Sequence, residues 1–239
     1  MYINPLLRFS ATAPSQPPYK LPSKAKTVSL LGAKQDTIYT HPYFLALQAI
    51  ASKLSSRGYA IITGASTGAN YYGSLGASPE NSFAIHVKGV PPIQNIRPIS
   101  NSPLYQDYAT VDSYPARTKK LGQLCDTLIV APGGLGSLEE VTSTLVNMYY
   151  KTPGAPTKLI LLGKDYWAPL QEMFQTMIKA GTAGPHLSQY ITILDAPMDK
   201  PDILAEQVVK LIQQDSLPSK TAEASLKSNA SEKKSGTAG

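Results

Sequence analysis

TLIVAPGGLGSLEEV, residues 127–141, decides the fold. Its first five residues form an apolar run of strand length, stopped by Pro-Gly-Gly. Beyond the glycines an amphipathic pattern at helical spacing runs to about residue 150. Strand, Gly-rich turn and helix in that order make half of a βαβ unit.

The same alternation extends in both directions. TVSLLG (27–32), YAIIT (59–63), SFAIHV (82–87), KLILL (158–162) and YITIL (190–194) read as further strands. Helical patterns separate them. HPYFLALQAIASKLSS (41–56) carries an apolar stripe through Phe44, Leu47, Ile50 and Leu54, and ARTKKLGQLCD (116–126) feeds the central strand. Two more helices fall near 167–180 and 201–214. Continuously apolar strands alternating with helices predict an α/β fold: one Rossmann-like domain, a mostly parallel sheet and helices on both faces. The stretch 88–112, with Pro91, Pro92, Pro98 and Pro103, shows little period and is expected to form a loop at the rim of a site.

The domain is expected over 26–214. Residues 1–25 are rich in Pro, Ser and Ala and read as a flexible arm, a plain extension with a transit peptide as the alternative. Residues 215–239 are low in complexity and read as a disordered tail. The net charge of +6 is concentrated in these ends: 1–28 carry +4, 215–239 carry +1, and the domain between them only +1. A basic groove for nucleic acid is therefore not expected. No apolar run approaches the roughly 18–20 residues that cross a bilayer, so no membrane association is expected, and the protein is read as cytoplasmic.

Cys125 is the single cysteine, which excludes an internal disulfide and a Cys-based zinc site. His41, His86 and His186 are widely spaced, so no metal site and no cofactor are expected. Cys125 beside an apolar strand, His86 within a strand and Trp167 at a helix start read as packing residues. So do Tyr71, Tyr72, Tyr149 and Tyr150.

Two Gly-rich turns follow strands: TGASTGANYYGSLGA (63–77) and APGGLGSLEEV (131–141). In a parallel sheet, ligands sit beyond the carboxyl ends of the strands. Glycines there let the backbone approach a phosphate, and a helix N-terminus supplies free N–H groups and partial positive charge. Neither turn is a GxGxxG or a Walker motif, which argues against a Rossmann-type oxidoreductase.

Arg117, a helix, an apolar strand and then PGGLGSLEE resemble the LOG family of phosphoribohydrolases, in which an Arg-Lys pair precedes PGGxGTxxE by about 15 residues. Arg117 and Pro132 are 15 apart here, and Glu140 falls on the last acid of the motif. SLLGAK (29–34), RGYAIITGASTGA (57–69) and SFAIHVKGVP (82–91) extend the resemblance. It departs at Thr118 in place of Lys, Ser137 in place of Thr, Ala65-Ser66 in place of two glycines, Asn70-Tyr71-Tyr72, and His86-Val87-Lys88.

The resemblance implies an N-glycosidase that splits a nucleoside 5′-monophosphate into free base and ribose 5-phosphate. Glu140 would face the oxocarbenium-like ribose and Arg117 would hold the substrate. Gly133, Gly134, Gly136 and Ser137 would cradle the phosphate, with Gly64, Ser66 and Gly68 across the crevice. The competing reading is a nucleotide-binding or sensing protein of the same fold that does not hydrolyse. Nothing suggests pyridoxal phosphate or decarboxylation. The family implies a homodimer, and the helix after PGGLGS adds a reason. Val141, Leu145, Val146, Met148, Tyr149 and Tyr150 cannot all face one sheet, so a second buried face is expected. The other cover considered is the 88–112 loop folding back.

Overall fold

The computed structural model describes residues 19–35, 37–91, 103–195 and 200–214. The expected tail 215–239, residues 1–18 of the expected arm and residues 92–102 of the expected rim loop lie outside them. Seven strands form one all-parallel sheet: β1 (Thr27–Leu31), β2 (Ala60–Thr63), β3 (Ser82–Val87), β4 (Gln106–Val111), β5 (Thr127–Val130), β6 (Lys158–Leu162) and β7 (Ile191–Leu194). Their order in space is β4-β3-β2-β1-β5-β6-β7. The chain builds outward from β1 to one edge, then returns to the middle and builds to the other.

Among the described residues six helices cover the sheet: α1 (His41–Ser55), α2 (Ala69–Gly76), α3 (Tyr114–Leu124), α4 (Leu135–Tyr149), α5 (Lys164–Lys179) and α6 (Pro201–Gln214). Successive strand residues point to opposite faces. Val28, Leu30, Ile61 and Ile129 meet the α1 and α6 side, where Phe44, Leu47, Ile50 and Leu54 form the expected stripe. Leu31, Ile62, Leu128 and Val130 meet α3, α4 and α5 on the other. Both faces of the inner strands are therefore dry, which is why they read as unbroken apolar runs.

Two elements depart from the sequence reading. β4 occupies 106–111, inside the stretch expected to be loop. It is an edge strand, partly exposed along QDYATV, and pairs only with β3 across a bulge between Ala84 and Ile85. An edge strand needs no apolar run, so its signal is weak. The first Gly-rich turn also contains α2, despite Gly73 and Gly76. Its glycines permit close packing: a Cβ on Gly73 would lie 3.1 Å from Cβ of Leu30, and one on Gly76 would overlap the Gln48 carbonyl on α1.

The residues just before β1 lie against the domain. Tyr19 packs edge-on against Phe83, with ring centroids 6.4 Å apart. Lys24 Nζ donates to the carbonyls of Gly122, Gly154 and Ala155.

Candidate active site

Strand order reverses between β1 and β5, and a cleft of about 640 Å³ opens beyond their carboxyl ends. Three turns build it, tied through Ala33. The Ala33 amide donates to the Pro132 carbonyl at 3.0 Å, and the Ala33 carbonyl accepts from Ala69 N at 2.9 Å. Thr67 Oγ1 adds a bond of 2.8 Å to the Lys34 carbonyl. Gly68 has φ +63°, and a side chain there would overlap the Ala33 carbonyl.

Ser113 caps α3 by accepting from Ala116 N at 3.3 Å, with Pro115 in the first turn. That start puts Tyr114 and Arg117 on one face of the helix. Nη2 of Arg117 reaches Oε1 of Glu140 on α4 at 3.2 Å, and Nη1 donates to the Gly64 carbonyl at 3.2 Å. The Arg117 guanidinium also lies 5.2 Å from the Tyr114 ring centre, and Lys34 Nζ lies 4.7 Å from the same centre. Nε of Arg117 is buried with no hydrogen-bond partner among the described residues. Burial pushes the Glu140 carboxyl up to about 7, against the pull of Arg117. It therefore titrates near neutrality, the range useful to a general base.

Of the residues expected in the site, Arg117, Glu140, Gly134, Gly136 and Ser137 line this cleft together. A Cβ on Gly134 or Gly136 would meet nothing within 4 Å, so both leave open space over the α4 N-terminus. Gly64 and Ser66 line a smaller neighbouring chamber instead. Neither Gly68 nor Gly133 is among the lining residues. Both are sites of close approach, since a Cβ on Gly133 would overlap Ser137 Oγ and lie 2.9 Å from Ala33 N.

Residues not singled out from sequence complete the cleft: Ala33, Lys34 and Gln35 after β1, Asn70 on α2, and Tyr114 on α3. The SLLGAK turn was the available signal for Ala33 and Lys34. Asn70 holds the Gly64 turn, its Oδ1 accepting from Gly64 N at 2.7 Å and its Nδ2 donating to Ser66 Oγ at 2.9 Å. Tyr166 donates from its hydroxyl to the Gly133 carbonyl and braces the PGG turn from α5. Thr118, at the position of the LOG-type lysine, donates to Glu139 Oε2 at 3.3 Å.

The packing reading holds for Cys125, Trp167 and Tyr149, whereas Tyr150 is largely exposed beyond the end of α4. Cys125 is fully buried, and burial raises its thiol pKa well above the usual range. Trp167 Nε1 donates to the Leu162 carbonyl at 3.1 Å. Tyr149 stacks on His186 at 4.7 Å and accepts from Gly184 N at 2.8 Å. Among the described residues no group of His, Cys, Asp and Glu is arranged to hold a metal, and no helix is long and apolar enough to cross a membrane.

Fold and cleft together define a doubly wound α/β protein with a helix N-terminus and a buried Arg–Glu pair at its switch point. The family model described as "Possible lysine decarboxylase" matches residues 69–204, more than half of the chain, and the chain belongs to that family. The stretch from Arg117 to Glu140 that resembles the LOG family lies inside the match.

Among solved structures, the protein TM1055 is 14% identical with a TM-score of 0.51, covering 79% of this chain and 99% of that one. That likeness is one of fold. The molybdenum cofactor binding protein from the phototrophic bacterium Rippkaea orientalis is 18% identical with a TM-score of 0.47, covering 77% and 94%. The Moco carrier protein from Chlamydomonas reinhardtii is also 18% identical with a TM-score of 0.47, covering 79% and 98%. No curated protein matches the chain.

Proposed function

We propose that the protein hydrolyses the N-glycosidic bond of a nucleoside 5′-monophosphate. The observation that carries this reading is the buried Arg117–Glu140 pair on the wall of a cleft whose floor is the α4 N-terminus. The 5′-phosphate sits over Gly134, Gly136 and Ser137, where unpaired N–H groups and the helix dipole favour an anion. Arg117, on the cleft wall beside Glu140, holds the sugar end.

As the bond from C1′ to the base nitrogen lengthens, positive charge develops on the ribose, and ionised Glu140 stabilises it. Water adds its oxygen to C1′ and gives a proton to Glu140. The base leaves with the electron pair of the broken bond and takes up the proton that Glu140 received, so Glu140 is ionised again and free base and ribose 5-phosphate result.

A non-hydrolysing nucleotide-binding protein is the second reading. The observation on its side is Thr118, which leaves Glu139 facing a hydroxyl instead of a lysine. One experiment separates the two. The protein is incubated in EDTA with AMP, GMP, CMP, UMP and prenylated AMP, and release of base and ribose 5-phosphate is followed. Release from any of them supports hydrolysis; binding without release supports the second reading.

We also propose that the protein works as a homodimer. Val141, Leu145 and Met148 are buried against the sheet, whereas Val146 and Tyr150 are 54% and 73% exposed on the outer side of α4 and just beyond its end. Leu135 and Leu138 are exposed as well, which leaves that helix an apolar outer side for a second copy to cover.

A further inference from the structure

β7 is the last strand at its end of the sheet, with β6 as its one neighbour. Between it and the flank of α5 lies a groove of about 320 Å³, within the size range of small-molecule sites. Trp167, Leu170 and Phe174 recur at helical spacing along one face of α5, and Ile191 and Ile193 share one face of β7. These five side chains give the groove its apolar walls. Trp167 and Phe174 are buried, and Trp167 Nε1 already donates to the Leu162 carbonyl, so the indole offers the groove hydrocarbon and no free donor. The remaining lining residues are Leu161, the neutral polar Gln171, Gln175 and Ser188, and Lys164 at one end.

We propose that this groove is a second ligand site, for a small apolar carboxylate whose head group pairs with Lys164. It shares no lining residue with the main cleft, and the proposal does not rest on the nucleotide reading.

Charge selects the ligand. Lys164 is the one charged residue lining the groove, and among the described residues it makes no ion pair. Asp165 beside it lies toward Tyr39 and Tyr43 and does not line the groove. An anionic head therefore meets a free ammonium and no carboxylate, whereas a cationic head meets only repulsion. A neutral chain gains the apolar walls alone. The α5 residues of the lining run from Lys164 to Gln175, about 16 Å at 1.5 Å per residue, which suits a chain of about ten carbons.

The test uses the full chain, with its single tryptophan, Trp167, as the reporter. Decanoate, decanol and decylamine are titrated at about pH 8, below the concentrations at which they form micelles, and Trp167 emission is followed. Decanoate is expected to give a saturable change and to bind about fivefold more tightly than decanol, the worth of one exposed ion pair. Decylamine is expected to bind most weakly. Lys164→Met keeps an apolar stem without the charge and is expected to bring decanoate down to the level of decanol. Gln171→Glu is expected to weaken decanoate and leave decanol unchanged. Both side chains are exposed, so neither substitution loads the fold. No saturable change with decanoate, equal affinity for the three probes, or a decanoate preference that survives Lys164→Met overturns the inference. So does Trp167 emission that changes on dilution without any probe, because a second copy is then what covers the groove.

Discussion

Nη2 of Arg117 and Oε1 of Glu140 lie 3.2 Å apart, and both side chains are less than a tenth exposed. Two opposite charges that far from water are costly to part, because each would be left buried and unpaired. The pair is also where the proposed chemistry concentrates. Glu140→Gln keeps the volume and removes the charge. Turnover is expected to fall on the order of 10²–10⁴-fold, with affinity for ribose 5-phosphate retained because the proposed phosphate site consists of backbone N–H groups. Near-normal turnover in steady-state assays would move the role to another group, Glu139 first.

The raised pKa of Glu140 gives two pH signatures. In the proposed mechanism the ionised carboxylate is the working form, so kcat should rise with pH through about 7 and then level. Stability runs the other way. A carboxyl whose folded pKa exceeds its unfolded value contributes fully below the unfolded value, and the contribution is lost as pH rises through the folded one. From about pH 4.5 to about 7 the protein should lose up to about 3 kcal/mol from this group. Urea titrations at pH 5 and pH 8 read the loss, which Glu140→Gln should abolish.

Gly64→Ala tests how Arg117 is held. A Cβ at Gly64 would sit 2.6 Å from Nη1 and 2.8 Å from Cζ of Arg117. The guanidinium must move, and its bond to the Gly64 carbonyl goes with it. Loss of activity well beyond any loss of stability is expected, compared by kcat/KM and by thermal melting. An alanine variant with unchanged kinetics would show that Arg117 needs no such close backbone support.

Cys125 is expected to be inert. Its side chain is fully enclosed and its thiolate strongly disfavoured. Ellman's reagent should titrate no thiol in the native protein and one in denaturant. Rapid native labelling would mean that the α3 end opens readily.

The homodimer is tested at Val146, on the open side of α4. Val146→Glu places a charge on the proposed contact without touching the core. Light scattering at micromolar concentration should give twice the chain mass for the wild type and one chain mass for the variant. One chain mass for the wild type would remove the dimer.

How much of this was legible depended on burial. β1, β5 and β6 are dry on both faces, and unbroken apolar runs such as TLIV and KLILL announce that state. β4 has one neighbour, a bulge and exposed positions, so QDYATV looks like loop. The Arg117–Glu140 pair was legible through motif spacing. Lys34 and Tyr114 were not, because their place at the cleft comes from strand order and a helix start. Glycines were the other blind spot. Gly134 and Gly136 leave room for a ligand, while Gly68 and Gly133 make way for neighbouring protein atoms, and the letter is the same in both cases.

Strand order also bears on how the site comes into being during folding. Val28 of β1 pairs with Thr127 of β5 across about a hundred residues, and the cleft exists only where those two strands lie side by side. Closing so long a loop is slow compared with forming neighbouring pairs such as β2 with β3. A chain emerging from the ribosome has β1 to β4 long before it has the turn carrying Gly134 and Ser137. The half-made sheet lacks the helix end at its switch point where the proposed phosphate site lies, so the nucleotide of the proposed function would stabilise the finished fold but not nucleate it.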